Sequence, residues 1–165
     1  MHRLLQTLPD LPEGEREAAA RRYLARIGAG WREEDRERAW ASVASILGGA
    51  GFAPIFATGS RAEVSIMGTL DIRGRPRAIS GKIDRLAVSE KEVLVVDYKS
   101  DAVPPTTEKA VPAVYLSQIG LYAQIAGQLF PGHRVEAAIL WTSLEMLMIL
   151  PPARLAEAVV SFTIG

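Results

Sequence analysis

Between Glu92 and Lys99 the chain reads Glu-Val-Leu-Val-Val-Asp-Tyr-Lys. The unbroken apolar run Val93 to Val96 is too short for a helix. Its β-branched residues suit a strand covered on both faces. Any fold this chain adopts must therefore place layers on both sides of a sheet. The segment before it, Ala78 to Val88, reads as a strand, and Ser89-Glu-Lys-Glu as the turn between them. The pair predicts an antiparallel hairpin.

The rest of the chain supplies the cover. Apolar residues recur at helical spacing in residues 2–8, Glu13 to Ile27 and Glu33 to Leu47, the last stopped by Gly48-Gly49. Ala62 to Ile66 alternates like a strand, and Leu70 to Arg77 holds a turn around Gly74-Arg75-Pro76. Asp101 to Pro112 reads as a loop and Val114 to Leu129 as a long helix. Val135 to Thr142 and Met146 to Leu150 read as strands, and Pro152 to Phe162 as a final helix. This order predicts an α/β fold with a mixed sheet flanked by helices. It fits one domain over 1–165, with a helical N-terminal region over 1–50 and an α/β core over 60–165.

Composition excludes several chemistries. The 165 residues contain no cysteine, which removes disulfides, thiolate metal sites and cysteine nucleophiles. No apolar run approaches the roughly 18 residues of a membrane span, so no membrane partner is expected, and a cytoplasmic location is the plain expectation. Lys and Arg number 19 and so do Asp and Glu, giving a formal net charge of +0. Tight autonomous binding to DNA favours a basic chain. The balance leaves DNA open as a substrate delivered by something else. The arginines between Arg16 and Arg38 alternate with glutamates on two helices, a pattern of solvated faces laced with i,i+4 pairs.

The candidate chemistry sits at the strand ends. Asp97 and Lys99 lie two apart on one strand and share a face. Asp84 lies inside the apolar neighbouring strand, where a carboxylate is costly unless paired, hydrogen-bonded or metal-bound. A salt bridge to Arg85 or Lys82 would satisfy it without any function. If the three act together, Asp84, Asp97 and the Tyr98 carbonyl offer oxygens to a hard divalent cation such as Mg²⁺. Lys99 would then steady a water or an oxyanion beside it, as in metal-assisted phosphodiester hydrolysis.

Gly-Lys-Ile-Asp-Arg-Leu followed by Val-Val-Asp-Tyr-Lys-Ser resembles the nuclease domain of the RecB family, within the PD-(D/E)XK nucleases. It is most similar to the C-terminal nuclease domain of AddA-type helicase–nucleases. The resemblance implies a restriction-endonuclease-like mixed sheet and a Mg²⁺-dependent DNA nuclease, with Mn²⁺ as a possible substitute. Asp84 and Asp97 would be metal ligands and Lys99 the catalytic lysine.

The resemblance assigns further roles. Gln118 and Tyr122, with Tyr115 nearby, match the family's Gln-x-x-x-Tyr element, which helps position DNA or the site. His2, in His-Arg-Leu-Leu, matches a metal-ligating histidine, and Glu63 an acid near or supporting the metal. Arg85 would face away from Asp84, in a structural or DNA-backbone role. The helix bearing His2 would be cut short at Met1, which predicts a loosely held histidine in a fragment of a larger protein. The implied partners are DNA, fed as single strands by a helicase motor, the parent helicase domains and a second helicase–nuclease subunit. The implied setting is the bacterial cytoplasm and double-strand break processing. The alternative is a catalytically inert nuclease-like module that docks a partner subunit or DNA.

Overall fold

A computed structural model describes residues 1–161. Three helices come first: α1 (His2–Thr7), α2 (Glu13–Ile27) and α3 (Glu33–Gly48). They are followed by strands β1 (Arg61–Ile72), β2 (Arg75–Val88) and β3 (Glu92–Lys99). Helix α4 (Ala113–Leu129), strands β4 (Arg134–Trp141) and β5 (Met146–Ile149) and helix α5 (Pro152–Ser161) follow. The sheet has strand order β1-β2-β3-β4-β5. All neighbours are antiparallel except β3 and β4, which are parallel and joined by α4 as the crossover. The expected mixed sheet with flanking helices is the fold observed. Phe162, the expected last residue of α5, lies outside the described residues.

The sheet is covered on both faces, as the Val93–Val96 run demands. Val93, Val95, Ile139 and Trp141 face α4 and α5, in a core with Ile119, Ile125 and Val159. Val96, Tyr98 and Leu140 face the other way, packing with Leu4, Leu5, Leu24, Val43 and Ile46 of α1 to α3. The N-terminal helices thus seal one face of the sheet.

Two local readings need correction. The strand expected at Ala62 to Ile66 runs on to Ile72, and the turn falls at Arg73-Gly74, one position earlier than expected. Both turn residues have positive φ, 56° and 73°, the primed geometry that matches strand twist in a two-residue hairpin. Asp71 Oδ1 accepts the Gly74 N–H at 2.7 Å and closes the turn. Pro76 sits near the hairpin tip, on the outer stretch of β2, where its missing N–H is tolerated. The arginine pairs of α2 and α3 are also mostly not i,i+4. Arg36–Glu33 and Arg38–Asp35 are i,i+3, and Arg21 links Glu17 on its own helix to Glu37 on the next.

Candidate active site

The regular ladder breaks where the acids stand. β1 pairs with β2 from Arg61↔Leu86 to Ile72↔Arg75, but no pair forms between Ala62↔Arg85 and Val64↔Ile83. At that gap Glu63 adopts φ 54°, a left-handed conformation unusual for a residue with a Cβ. Facing alternation fails at the same point. Ile83 and Leu86 both pack on the α4 side, while Arg85 turns into the α1 side. The kink acts as a β-bulge does, re-aiming side chains at a strand's functional end.

β2 and β3 part at this place. Their ladder ends at Arg85↔Val96, and beyond it the Asp84 side chain enters the gap. Its Oδ2 accepts the Tyr98 N–H at 2.7 Å, so neither Arg85 nor Lys82 is its partner. Burial pushes the Asp84 carboxyl up to about 6. The Tyr98 hydrogen bond and the Lys99 charge oppose that shift, and the charges of Asp97 and Glu63 add to it. A carboxylate raised this way lacks compensating positive charge.

Asp97 is 6% exposed, on the α4 face of β3. Its Oδ2 lies 2.6 Å from Lys99 Nζ. Lys99 Nζ also donates to Gln118 Oε1 at 3.3 Å, and Gln118 Nε2 donates to Tyr122 Oη at 3.3 Å. The Tyr115 ring lies under Lys99, with Nζ 4.4 Å from its centroid, and its hydroxyl donates to Asp101 Oδ1 at 3.0 Å. The expected face-sharing of Gln118 and Tyr122 is therefore seen, directly beside the lysine. Tyr122 rests on Gly81: a Cβ there would stand 2.4 Å from the tyrosine ring. The glycine that opens the Gly-Lys-Ile-Asp-Arg-Leu motif lets α4 approach β2 and reach Lys99.

His2 begins α1, half-buried, with its ring edge-on to Tyr98 at 5.8 Å. Its Nε2 is buried without a hydrogen-bond partner. Burial, the terminal ammonium and Lys99 hold its pKa below the ordinary value, against the pull of Asp97. The helix that carries His2 is fastened at its other end by Arg85. That guanidinium is 0% exposed and faces away from Asp84. It donates to the α1 carbonyls of Leu5 at 2.7 Å and Gln6 at 3.3 Å, and lies over the Phe56 ring at 5.3 Å. It also donates to Tyr98 Oη and Ser60 Oγ, each at 3.4 Å. Arg85 thus fills the vacant carbonyls of the helix that carries His2.

Glu63 is tied up on both oxygens, by Gln6 Nε2 at 2.5 Å and Lys82 Nζ at 3.0 Å. Gln6 went unremarked in the sequence, although it lies four residues from His2 on one helix and shares its face.

Among the described residues, no three His, Asp or Glu side chains stand together as a ready-made metal cluster. The donor set nevertheless fits a divalent cation. Asp84 carries an uncompensated charge, His2 Nε2 is buried and orphaned, and two carboxylates with an imidazole are donors such ions accept. Asp84, Asp97 and His2 could hold the ion, with Lys99 beside it. A groove of about 510 Å³ between α2 and α3, lined by Leu24 and Trp40 among others, contains none of these residues.

Among solved structures, the crystal structure of SSO0001 matches 86% of this chain and 69% of its own, at 14% identity and a TM-score of 0.39. No curated protein sequence matches. The family model of the PD-(D/E)XK nuclease superfamily matches residues 1–158. By that match over nearly its whole length, the chain belongs to the PD-(D/E)XK nuclease superfamily.

Proposed function

We propose that this chain is a Mg²⁺-dependent DNA nuclease domain of the RecB type, a piece of an AddA-like helicase–nuclease that processes double-strand breaks. The observation that carries the reading is the parting of β2 and β3 around Asp84, Asp97 and Lys99. A divalent cation held there would polarise a water and offset charge on the scissile phosphate. Asp84, Asp97, His2 and the Tyr98 carbonyl are the proposed ligands.

Lys99 does the chain's own electrostatic work. Asp97 and Gln118 hold its ammonium at 2.6 and 3.3 Å, so the charge is placed before substrate arrives. With a cation bound by Asp97, the Lys99 ammonium would be available to orient a water or to stabilise negative charge on the phosphate. Gln118 and Tyr122 keep it aimed. In this reading a motor delivers DNA strands, so local concentration adds to the modest affinity of a chain whose net charge is zero.

Mg²⁺-dependent cleavage of labelled single-stranded and duplex DNA tests the proposal. Asp97→Ala and Lys99→Ala should each lower the rate about a hundredfold to a thousandfold, with the circular dichroism spectrum of the folded protein kept. Full cleavage by either variant overturns it. The inert docking module is the second reading, favoured by the Asp97–Lys99 ion pair that closes the site. Mn²⁺ titration by calorimetry separates the two, because only the nuclease reading expects heat that depends on Asp97.

A further inference from the structure

The β1–β2 hairpin runs well past the sheet. β3 pairs with β2 only from Arg85 to Val88, so residues 75–83 of β2 have β1 as their one strand neighbour. One face of this arm packs on α4 through Ile66, Leu70 and Ile79. The opposite face is bare: Ser65, Met67, Thr69, Ser80 and Lys82 are exposed or half-exposed. At its tip stand Arg73, Arg75 and Arg77, all exposed; Arg75 and Arg77 are paired with Ile72 and Leu70, so they lie on the same face as the apolar residues, beyond the end of that packing. Residues 72–83 contain these three arginines and Lys82, and no acid. Lys82 is paired with Glu63 at 3.0 Å, and the acid next to the tip, Asp71, is turned to the Gly74 N–H. Of the helical arginines, Arg21, Arg36 and Arg38 lie against carboxylates, as does Arg32 before α3, while Arg22 and Arg26 stand exposed on α2 without an ion pair among the described residues. Among the described residues the three tip arginines have no ion-pair partner.

We propose that this arm is a second DNA contact, holding backbone phosphates of the strand whose cleavage is assigned above to Asp84, Asp97 and Lys99; it rests on that reading. Charge complementarity selects the occupant, since three unpaired arginines at an exposed hairpin tip match a phosphate backbone. Arginine forks suit phosphate oxygens, and such contacts position a strand without reading its sequence. The arm also fixes a distance. Arg77 and Arg75 lie seven and nine residues from Asp84 along β2. That is about 23–30 Å at ~3.3 Å per residue. It equals about seven to nine nucleotides of a B-form strand at ~3.4 Å each. The tip would hold the strand well away from the cut, and a short fragment would not reach it.

The test uses the whole chain and a triple variant, Arg73→Asn with Arg75→Thr and Arg77→Thr, chosen because asparagine tolerates positive φ and threonine suits a strand. Equal melting curves establish that the fold is kept. Affinity is read by fluorescence anisotropy in EDTA, over a range of salt, for a single strand of about 30 nucleotides, a duplex of that length and a fragment of about five. For three lost phosphate contacts, the slope of log K on log salt should shrink by about 2 on the single strand or about 2.7 on the duplex. Whichever long DNA shows the loss is the one the arm holds. The short fragment should bind alike to both proteins. An unchanged slope on both long DNAs, failure of the unaltered chain to bind either, or an equal loss on the short fragment overturns the proposal. Cleavage with an unchanged slope would fell the arm and leave the nuclease. The slope loss without Mg²⁺-dependent cleavage would do the reverse.

Discussion

The two sides of the sheet at Asp84 and Asp97 are built on opposite terms. On the α1 side, Arg85 and Tyr98 are sealed, and the guanidinium reaches two helix carbonyls and the Tyr98 hydroxyl. On the other side stand their chain neighbours, Asp97 paired with Lys99 and Asp84 pushed up by burial with too little positive charge to offset it. Adjacent residues in each strand therefore do opposite work. One of each pair fastens the N-terminal helices, and the other is an acid, of which Asp84 is left short of positive charge. The stability of one face underwrites the strain of the other, the pattern expected where a site is prepared for a ligand.

That contrast can be broken from its satisfied side. Arg85→Met should leave the Leu5 and Gln6 carbonyls unpaired and cost about 2–4 kcal/mol, read as a lower denaturation midpoint. Faster amide exchange confined to residues 2–7 would show that α1 is what loosens; a midpoint equal to that of the unaltered chain would refute the latch. Gly81→Ala drives a methyl into Tyr122 and should cost about 1–3 kcal/mol. Tyr122→Leu in the same chain should recover much of that loss, which a purely backbone effect of alanine would not allow.

The unsatisfied side should respond with the opposite sign. The Asp84 carboxyl titrates near 6 in the fold, above its ordinary value of 3.8. The folded chain therefore holds more protons than the unfolded one between those values, and stability falls as pH rises through that window. Asp84→Asn keeps an acceptor for the Tyr98 N–H but carries no charge. Its melting temperature should exceed that of the unaltered chain at pH 7, and the difference should vanish below about pH 4, where the carboxyl is protonated in both states. A lower melting temperature at pH 7 would show that the carboxylate is satisfied after all. Divalent metal should stabilise the unaltered chain at pH 7 and not this variant. The smallest change belongs to the solvated pairs: Arg21→Ala, which breaks links to Glu17 and Glu37, should leave the melting curve in place.

Much of this was readable from local pattern. The Val93–Val96 run, the 3.6-residue period of α4 and the spacing of Asp97, Lys99, Gln118 and Tyr122 are all short-range signals, and the sheet and the lysine cluster follow from them. The features that escaped are set by distant partners. Nothing in Ala62-Glu63-Val64 announces a left-handed residue. That conformation arises where β1 and β2 pass from Ala62↔Arg85 to Val64↔Ile83 without a pair between. The hold on α1 was invisible for the same reason, since Arg85 and Leu5 meet only in three dimensions. The exposed tip of the hairpin was misplaced by one position because Pro76 looked like a turn residue and is instead tolerated near the end of an edge ribbon.

The bond from Arg85 to the Leu5 carbonyl closes a loop of 80 residues. Contacts so far apart form late, because the chain must surrender the entropy of closing that loop before any reward arrives. As the protein is synthesised, α1 emerges first but cannot be fastened until β2 has followed it. Its histidine should therefore join the site among the last events of folding, after the two strands that carry the carboxylates have paired.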